Sequence, residues 1–321
     1  MNVSVIVCAY TEKRWDDLVA CLESLEAQDE KPFEIILVID HNPALLARAD
    51  EYFSNVAVLD NSHEQGLSGS RNQAIEQAHG EILAFIDDDA VAPHDWLASM
   101  MRGYDDPSVM GIGGRIQPRW ETGRPSWFPE EFDWVVGCTY RGLPEAKVSI
   151  RNLIGCNMSF RHNVFSSLGG FSVGMGRIGT LPVGCEETEL CIRAKQHWPN
   201  QILLYEPMSV IAHRVPESRS TMKYFYARCY SEGRSKAMLA RLVGTSAGLS
   251  SERTYTFHTL PDGILRGVWK FLTRFEIAGL GRALAIISGL LVTTIGYLVG
   301  RIGITDSLHP PLNPSDVHST T

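Results

Sequence analysis

The 321-residue sequence predicts an α/β protein on a doubly wound, Rossmann-like, mostly parallel sheet. Three observations predict it. Apolar runs at residues 3–9, 34–39 and 81–86 have the length and β-branched content of buried strands. The stretches 16–28 and 70–78 carry helical patterns between them. Acidic residues, Asp40 and the triplet Asp87-Asp88-Asp89, stand at the carboxyl ends of two of these strands, where open α/β sheets collect their ligands.

The elements follow in order. The first strand starts at once, and the absence of a basic n-region or a long apolar h-region argues against a secretory signal. The helix at 16–28 places Leu18, Cys21, Leu22 and Leu25 on one face. Strand 34–39 ends at Asp40, residues 55–59 form a third strand, and helix 70–78 stops at Gly80. Residues 111–142 set Trp120, Trp127, Phe128, Phe132 and Trp134 among prolines and glycines, which suits either a ligand wall or a satellite core. A strand follows at 153–161. The glycine-rich run 169–184 reads as a mobile loop or a close backbone approach to a ligand.

Beyond Pro261 the character changes. Arg266, Lys270 and Arg274 share one helix face, and Leu265, Val268, Trp269, Leu272 and Phe275 lie beside it. That is the pattern of a basic amphipathic helix on an anionic membrane. Residues 283–300 are uncharged, bracketed by Arg282 and Arg301, near the lower length limit for a membrane span. The alternative is a buried core helix. The excess of basic residues before this stretch predicts that the N-terminal body is cytoplasmic. The expected organisation is an N-terminal half at 1–120, a second half at 121–245, a membrane-associated helical region at 246–305, and a disordered tail at 306–321.

A net charge of −8 argues against a nucleic-acid partner. Seven cysteines without a C-x-x-C pair suit reduced, partly buried thiols.

In the triplet, strand alternation puts Asp87 and Asp89 on one face and turns Asp88 away. Adjacent carboxylates repel unless a cation joins them, and a hard divalent ion, Mg2+ or Mn2+, suits such oxygens and would also carry diphosphate. A solvated acidic turn is the alternative.

The motifs in order resemble the family 2 glycosyltransferases of GT-A fold. The opening run from Val3 to Thr11, with Ala9 and Tyr10, is similar to the family's first strand and nucleotide loop. Asp40 stands at its base-binding aspartate, Gly66-Leu67-Ser68-Gly69-Ser70-Arg71-Asn72 matches its glycine-rich Arg-Asn segment, and Asp87-Asp88-Asp89 its D-x-D motif. Gly155-Cys156-Asn157-Met158-Ser159 and Leu168-Gly169-Gly170-Phe171 match acceptor-side elements, and Glu186-Glu187-Thr188-Glu189-Leu190 the segment of the catalytic base. Within the family, Pro125-Ser126-Trp127-Phe128-Pro129-Glu130-Glu131-Phe132 and Arg151-Asn152 resemble haloarchaeal transferases that add glucuronate to a glucosyl dolichyl phosphate.

The resemblance implies a role for each residue. Ala9, Tyr10, Asp40, Arg71, Asp87 and Asp88 would bind the donor, Asp40 by accepting a hydrogen bond from a uracil imide. Asp89, Asp87 and His213 would hold the metal, with Asp89 the more direct ligand. Glu187, or its neighbour Glu186, would be the general base; the family usually has aspartate there. Trp127, Trp134, Asn157 and Gly170 would lie on the acceptor side. Arg214, Arg219, Arg228 and Arg234 could hold the diphosphate or a lipid phosphate, or form a solvated face. Arg115, Arg119 or Arg124 could meet a glucuronate carboxylate.

The resemblance implies an inverting transfer from a UDP-sugar, with UDP-glucuronate as one candidate, to a polyprenyl- or dolichyl-phosphate-linked sugar or glycan at the membrane, with residues 1–120 as the nucleotide-sugar-binding half and 121–245 as the acceptor and catalytic half. Other donors, UDP-glucose, dTDP-rhamnose or GDP-mannose, are the alternative in the same family. Two other classes are a nucleotidyltransferase, disfavoured because residues 3–14 contain no glycine, and an inactive membrane-bound sugar-binding scaffold.

Overall fold

The computed structural model describes residues 1–173, 184–244 and 254–303. The predicted tail and most of the glycine-rich run lie outside the described residues.

The first half alternates strand and helix as expected. β1 (Val3–Ala9), β2 (Glu34–Ile39), β3 (Ala57–Asp60) and β4 (Ile82–Asp87) are parallel neighbours in the order β3-β2-β1-β4. α1 (Trp15–Glu26) buries Leu18, Cys21, Leu22 and Leu25. α2 (Pro43–Tyr52) starts at an Asn42 cap, whose side chain accepts from Leu45 N. α3 (Leu67–Gln77) buries even Arg71 against the other face of the sheet.

Register explains why distant acidic residues meet. Cys8 lies opposite Asp87 and Ala9 opposite Ile39. In a parallel sheet all carboxyl ends share one rim, so the chain leaving β1 at Tyr10, β2 at Asp40 and β4 at Asp87 turns into the same space.

Beyond β4 the sheet becomes mixed. After β5 (Ala90–Val91) and α4 (Trp96–Met101), β6 (Val109–Trp120) and β7 (Val148–Ile150) precede β8 (Asn157–Arg161). β8 runs antiparallel to both β4 and β6. α5 (His162–Leu168) and α6 (Glu186–His197) lead to β9 (Ile202–Val215), which is parallel to β6 and antiparallel to β5 and β7.

The C-terminal helices are part of this body. α7 (Met222–Val243) runs beside α9 (Ile277–Ile302), and α8 (Leu260–Arg274) packs on α9. The contact is closest at glycines: a Cβ on Gly233 would lie 2.1 Å from Thr293 O, and one on Gly296 2.2 Å from Tyr230 O. Larger residues there would push the helices apart. α9 is long and apolar enough to cross a membrane by length and composition. One face is nevertheless committed to protein, while Leu284, Ile287, Leu291, Ile295 and Leu298 are exposed along the other.

Two expectations change here. The aromatic middle belongs to the main core rather than to a satellite, and Phe132 and Trp134 also line a cavity: Phe132 and Phe225 meet at 5.2 Å, Trp127 meets Phe225 at 5.6 Å, and Gly289 of α9 closes over Phe132 and Phe225. Arg266 does not join a free basic face but pairs with buried Glu131. Lys270 and Arg274 stay exposed beside Leu265, Trp269 and Leu272.

Candidate active site

Two adjoining cavities open on the strand rim. The smaller, of about 60 Å3, is lined by Cys8, Ala9, Tyr10, Arg14, Asp40 and Asp88, together with Leu67, Ser70 and Asp87. The larger, of about 460 Å3, holds Glu186, Glu187, His213 and Trp134. Asp87 and Leu67 line both. Asp87 is thus the acidic residue at the junction, and its side chain is about one-third exposed.

Strand alternation fails beyond Asp87. β4 ends there and the chain turns, so Asp88 and Asp89 point to one cation rather than to opposite faces. Arg14 Nη1 donates to Asp88 Oδ1 at 2.7 Å and to Asp89 Oδ2 at 2.9 Å. Its guanidinium also lies 4.8 Å over the Tyr10 ring, narrowing the smaller cavity. Asp88 therefore does not point away, and Asp89 is engaged on both sides: His213 Nε2 lies 3.1 Å from Oδ1 and Arg219 Nη2 3.6 Å from Oδ2.

Burial sets the proton distribution. It pushes the Asp88 carboxyl up, with Asp89 and Asp87 adding to the effect against Arg14. Burial acts the same way on Asp89, but His213, Arg219 and Arg14 outweigh it and hold that carboxyl well below the usual range. Burial opposes charge on His213, yet Asp89 carries the imidazole up to about 10.

The donor atoms fit a hard divalent cation. Asp88 Oδ2 and Asp89 Oδ1 are buried without a hydrogen bond, the latter having only its ion-pair approach to His213. One ligand atom each of Asp87, His213 and Cys156 lies within 4.8 Å of the others. Asp89, expected as the more direct metal ligand, stands outside the set of side chains that converge at the junction, because Arg14, Arg219 and His213 hold it. Carboxylates and an imidazole suit Mg2+ or Mn2+. The Cys156 thiol, which burial pushes well above its usual pKa, is a poor ligand for such an ion.

Across the junction, Arg71 Nη1 lies 3.1 Å from Glu186 Oε1, Nη2 donates to Gly155 O at 3.1 Å, and Nη2 is 3.7 Å from Asp87 Oδ1. Glu186 is buried in this pair. Glu187, half-buried at the first turn of α6, lines the larger cavity. Burial and the adjacent Glu186 push its carboxyl up to about 8. Asp40 accepts from Asn61 Nδ2 at 2.8 Å and from Gly66 N at 3.0 Å, which draws the loop before α3 to the rim.

Other expected residues lie elsewhere. Asn157 is fully buried, accepting from Trp96 Nε1 and donating to Arg115 O and Ser209 O; its polar atoms are used inside the fold. Gly170 packs against α3, where a Cβ would lie 2.1 Å from Asn72 Oδ1. Trp127 lines neither cavity, whereas Trp134 lines the larger and donates to the Tyr255 hydroxyl at 3.0 Å. The basic cluster divides: Arg219 and Arg228 line the larger cavity, and Arg214 bridges Asp17 and Glu121 at the surface. Arg124 is bound by Asp133, and neither it, Arg115 nor Arg119 lines either cavity.

The model of glycosyl transferase family 2 matches residues 4–169, which carry the strand rim and the acidic triplet. The chain belongs to that family. This family 2 transferase is 34% identical to a glucosyl-dolichyl phosphate glucuronosyltransferase of Haloferax volcanii, over 74% of the chain and 77% of the relative. It is 24% identical to the succinoglycan biosynthesis protein ExoM of Rhizobium meliloti, over 74% and 75%. Its fold is that of GT-A transferases. A mannosyltransferase from Pyrobaculum calidifontis, solved with GDP-Man and Mn2+, superposes with a TM-score of 0.58 at 16% identity, over 92% of this chain and 87% of that one.

Arg14, Cys156 and the α9 wall of the larger cavity escaped the sequence reading. Arg14 follows a strand without a motif of its own, and no periodicity marks a helix face as the lining of a distant cavity.

Proposed function

We propose that this transferase moves a sugar from a UDP-sugar to a lipid-linked sugar acceptor, with inversion, and that UDP-glucuronate is the first donor to test. The observation that carries the reading is Asp87, shared by a cavity at the strand rim and a larger one holding Glu187. A donor in the first and an acceptor in the second would meet beside it. The naming of the Haloferax relative supports both the glucuronate donor and the dolichyl-phosphate acceptor.

The residues divide the work. Asp40 would accept the imide N–H of uracil at the floor of the rim. A nucleotide needs more room than the smaller cavity offers, so Arg14 would swing from Tyr10 toward the diphosphate. Arg219, beside Asp89, would face the same charge. Asp87 and His213 would hold a divalent ion, which supplies Lewis-acid neutralisation of the leaving diphosphate. Glu187 would take the proton from the acceptor hydroxyl as it attacks the anomeric carbon from the opposite side, giving a β-linked product from an α-linked donor.

The exposed apolar faces of α8 and α9 support membrane association, and the basic residues that precede α9 would put the catalytic body on the cytoplasmic side. Because α9 is packed along α7, α8 and α9 would lie in the interface as a pair rather than α9 crossing as a lone span.

The purified full chain with Mn2+ should release UDP from UDP-glucuronate when given a polyprenyl-phosphate glucose. If soluble glucosides serve equally well, the lipid-linked acceptor is wrong; if no UDP-sugar is consumed, the donor class is wrong.

A further inference from the structure

The sugar donors that the sequence leaves open differ in their base: uracil, thymine or guanine. Asp40 is the residue that would meet that base, and its surroundings restrict what it can accept. A carboxylate offers about four lone-pair positions, two on each oxygen. Asp40 Oδ1 accepts from Asn61 Nδ2 at 2.8 Å and lies 3.0 Å from His41 Nδ1, while Oδ2 accepts from Gly66 N at 3.0 Å. A ring nitrogen facing a carboxylate is the protonated one, so His41 Nδ1 donates. Oδ1 is thus filled, and among the described residues Oδ2 keeps about one open position. Asp40 is buried and lines the smaller cavity, so a base there would meet it away from bulk water.

The three partners are held differently. Asn61 Nδ2 also donates to Glu64 O at 3.2 Å, and its Oδ1 accepts from His63 N at 3.0 Å, which sets the orientation of the amide. Gly66 stands at the N-cap of α3 with φ +128°, a conformation that favours glycine. His41 is the exposed partner: its side chain is 42% accessible. Its φ of +51° lies in the left-handed region, which residues with a Cβ adopt infrequently. The chain is held on both sides of it. Asp40 N donates to Ala9 O at 2.8 Å, and Asn42 caps α2 while its Nδ2 donates to Tyr10 O at 3.2 Å. That backbone turns the His41 ring back onto the carboxylate at the rim of the cavity. A strained residue retained at such a place points to a functional demand.

We propose that His41, by filling Oδ1 of Asp40, makes this transferase select a pyrimidine base over guanine. The proposal deepens the uridine-donor reading above and rests on it. Uracil and thymine each present one imide N–H between two carbonyls, which the open position on Oδ2 satisfies. Guanine presents N1–H and its 2-amino group side by side, and a carboxylate pairs with both only when each oxygen has a free position. With Oδ1 taken, the 2-amino group loses water and gains no partner. An aspartate without the histidine would suit either base, so the discrimination lies in His41.

The test measures binding of UDP, GDP and inosine diphosphate to the full chain with Mn2+ by calorimetry. Hypoxanthine keeps the N1–H of guanine and lacks its 2-amino group, so it asks for a single acceptor. The parent should bind UDP more tightly than GDP. It should also bind inosine diphosphate about tenfold or more tightly than GDP, the scale of one hydrogen bond to a charged group. His41→Gly suits the positive φ and frees Oδ1, so GDP should gain on inosine diphosphate by about the same factor. A looser loop would weaken all three nucleotides alike and leave that ratio unmoved. The parent's own ratio tests the filled Oδ1 without any substitution. Equal binding of GDP and inosine diphosphate by the parent would mean that purines are excluded by size, and overturns the assignment. An unchanged ratio in His41→Gly overturns it as well. Either result, with UDP still preferred, refutes only the role of His41; a parent that prefers GDP to UDP refutes the uridine donor too.

Discussion

Arg71 Nη1 lies 3.1 Å from Glu186 Oε1, although the two residues are 115 positions apart in the chain. The pair ties α3 to the first turn of α6 and fixes how the neighbouring carboxylates are used. Glu186 is held in a buried ion pair, and Glu187 is left facing the cavity.

The two glutamates should therefore fail differently. Glu187→Gln should lower kcat by roughly 10^2–10^4-fold without lowering thermal stability. Glu186→Ala should lower stability by about 3 kcal/mol, because Arg71 would stay buried without its nearest counter-charge, with Asp87 and Glu187 farther away. UDP-release assays beside thermal melts separate them. A Glu187→Gln enzyme of full activity would remove it as the base.

The raised Glu187 pKa has a sign in both activity and stability. A base must be ionised, so kcat/KM should rise with pH through a value near 8 and flatten above it. For stability, the unfolded chain loses this proton near the ordinary 4.5 and the folded one only near 8. Between these values the folded state binds more protons, and this contribution to stability is lost as pH rises. Glu187→Gln should abolish that slope in urea melts. A parent pH–rate profile already flat above pH 5 would contradict the assignment.

Metal binding should release protons. His213 is carried up to about 10 by Asp89, against burial, and only a neutral imidazole can ligate. Mn2+ affinity should increase with pH, and calorimetry in buffers of different ionisation enthalpy should count the proton released. His213→Gln should bind Mn2+ more weakly and lose the pH dependence; Asp87→Asn should weaken binding without losing it. Unchanged Mn2+ affinity in both variants would place the ion elsewhere.

The outer faces of α8 and α9 should govern membrane binding. Replacing exposed Leu284, Ile287 and Leu291 together by serine should abolish sedimentation with vesicles while leaving the melt largely intact. Lys270→Gln with Arg274→Gln should reduce binding to anionic vesicles and its salt sensitivity. Arg266→Gln should chiefly destabilise, since it leaves buried Glu131 without its α8 partner. Equal losses from all three changes would mean that the helices are needed for folding rather than for lipid contact.

The strands and helices of the first half and the acidic rim were legible in short runs of consecutive residues. Those features are local. Apolar runs of strand length, helical spacing and an aspartate directly after a strand are each carried by a few consecutive residues, and parallel pairing then brings the strand ends to one edge. The full sets of partners at Asp87, Asp89 and Glu187 were decided only by tertiary structure. Strand alternation would have turned Asp88 away, but β4 ends one residue too early, and Arg14 from the β1 loop gathers both Asp88 and Asp89. The matched motifs placed Asn157 and Gly170 beside the acceptor, whereas packing uses them to join Trp96, Ser209 and Asn72. The apolar C-terminal segment showed its composition but not its second face. Whether a hydrophobic helix stands alone or forms the wall of a cavity depends on contacts such as Gly233 with Thr293, which no window of consecutive residues contains.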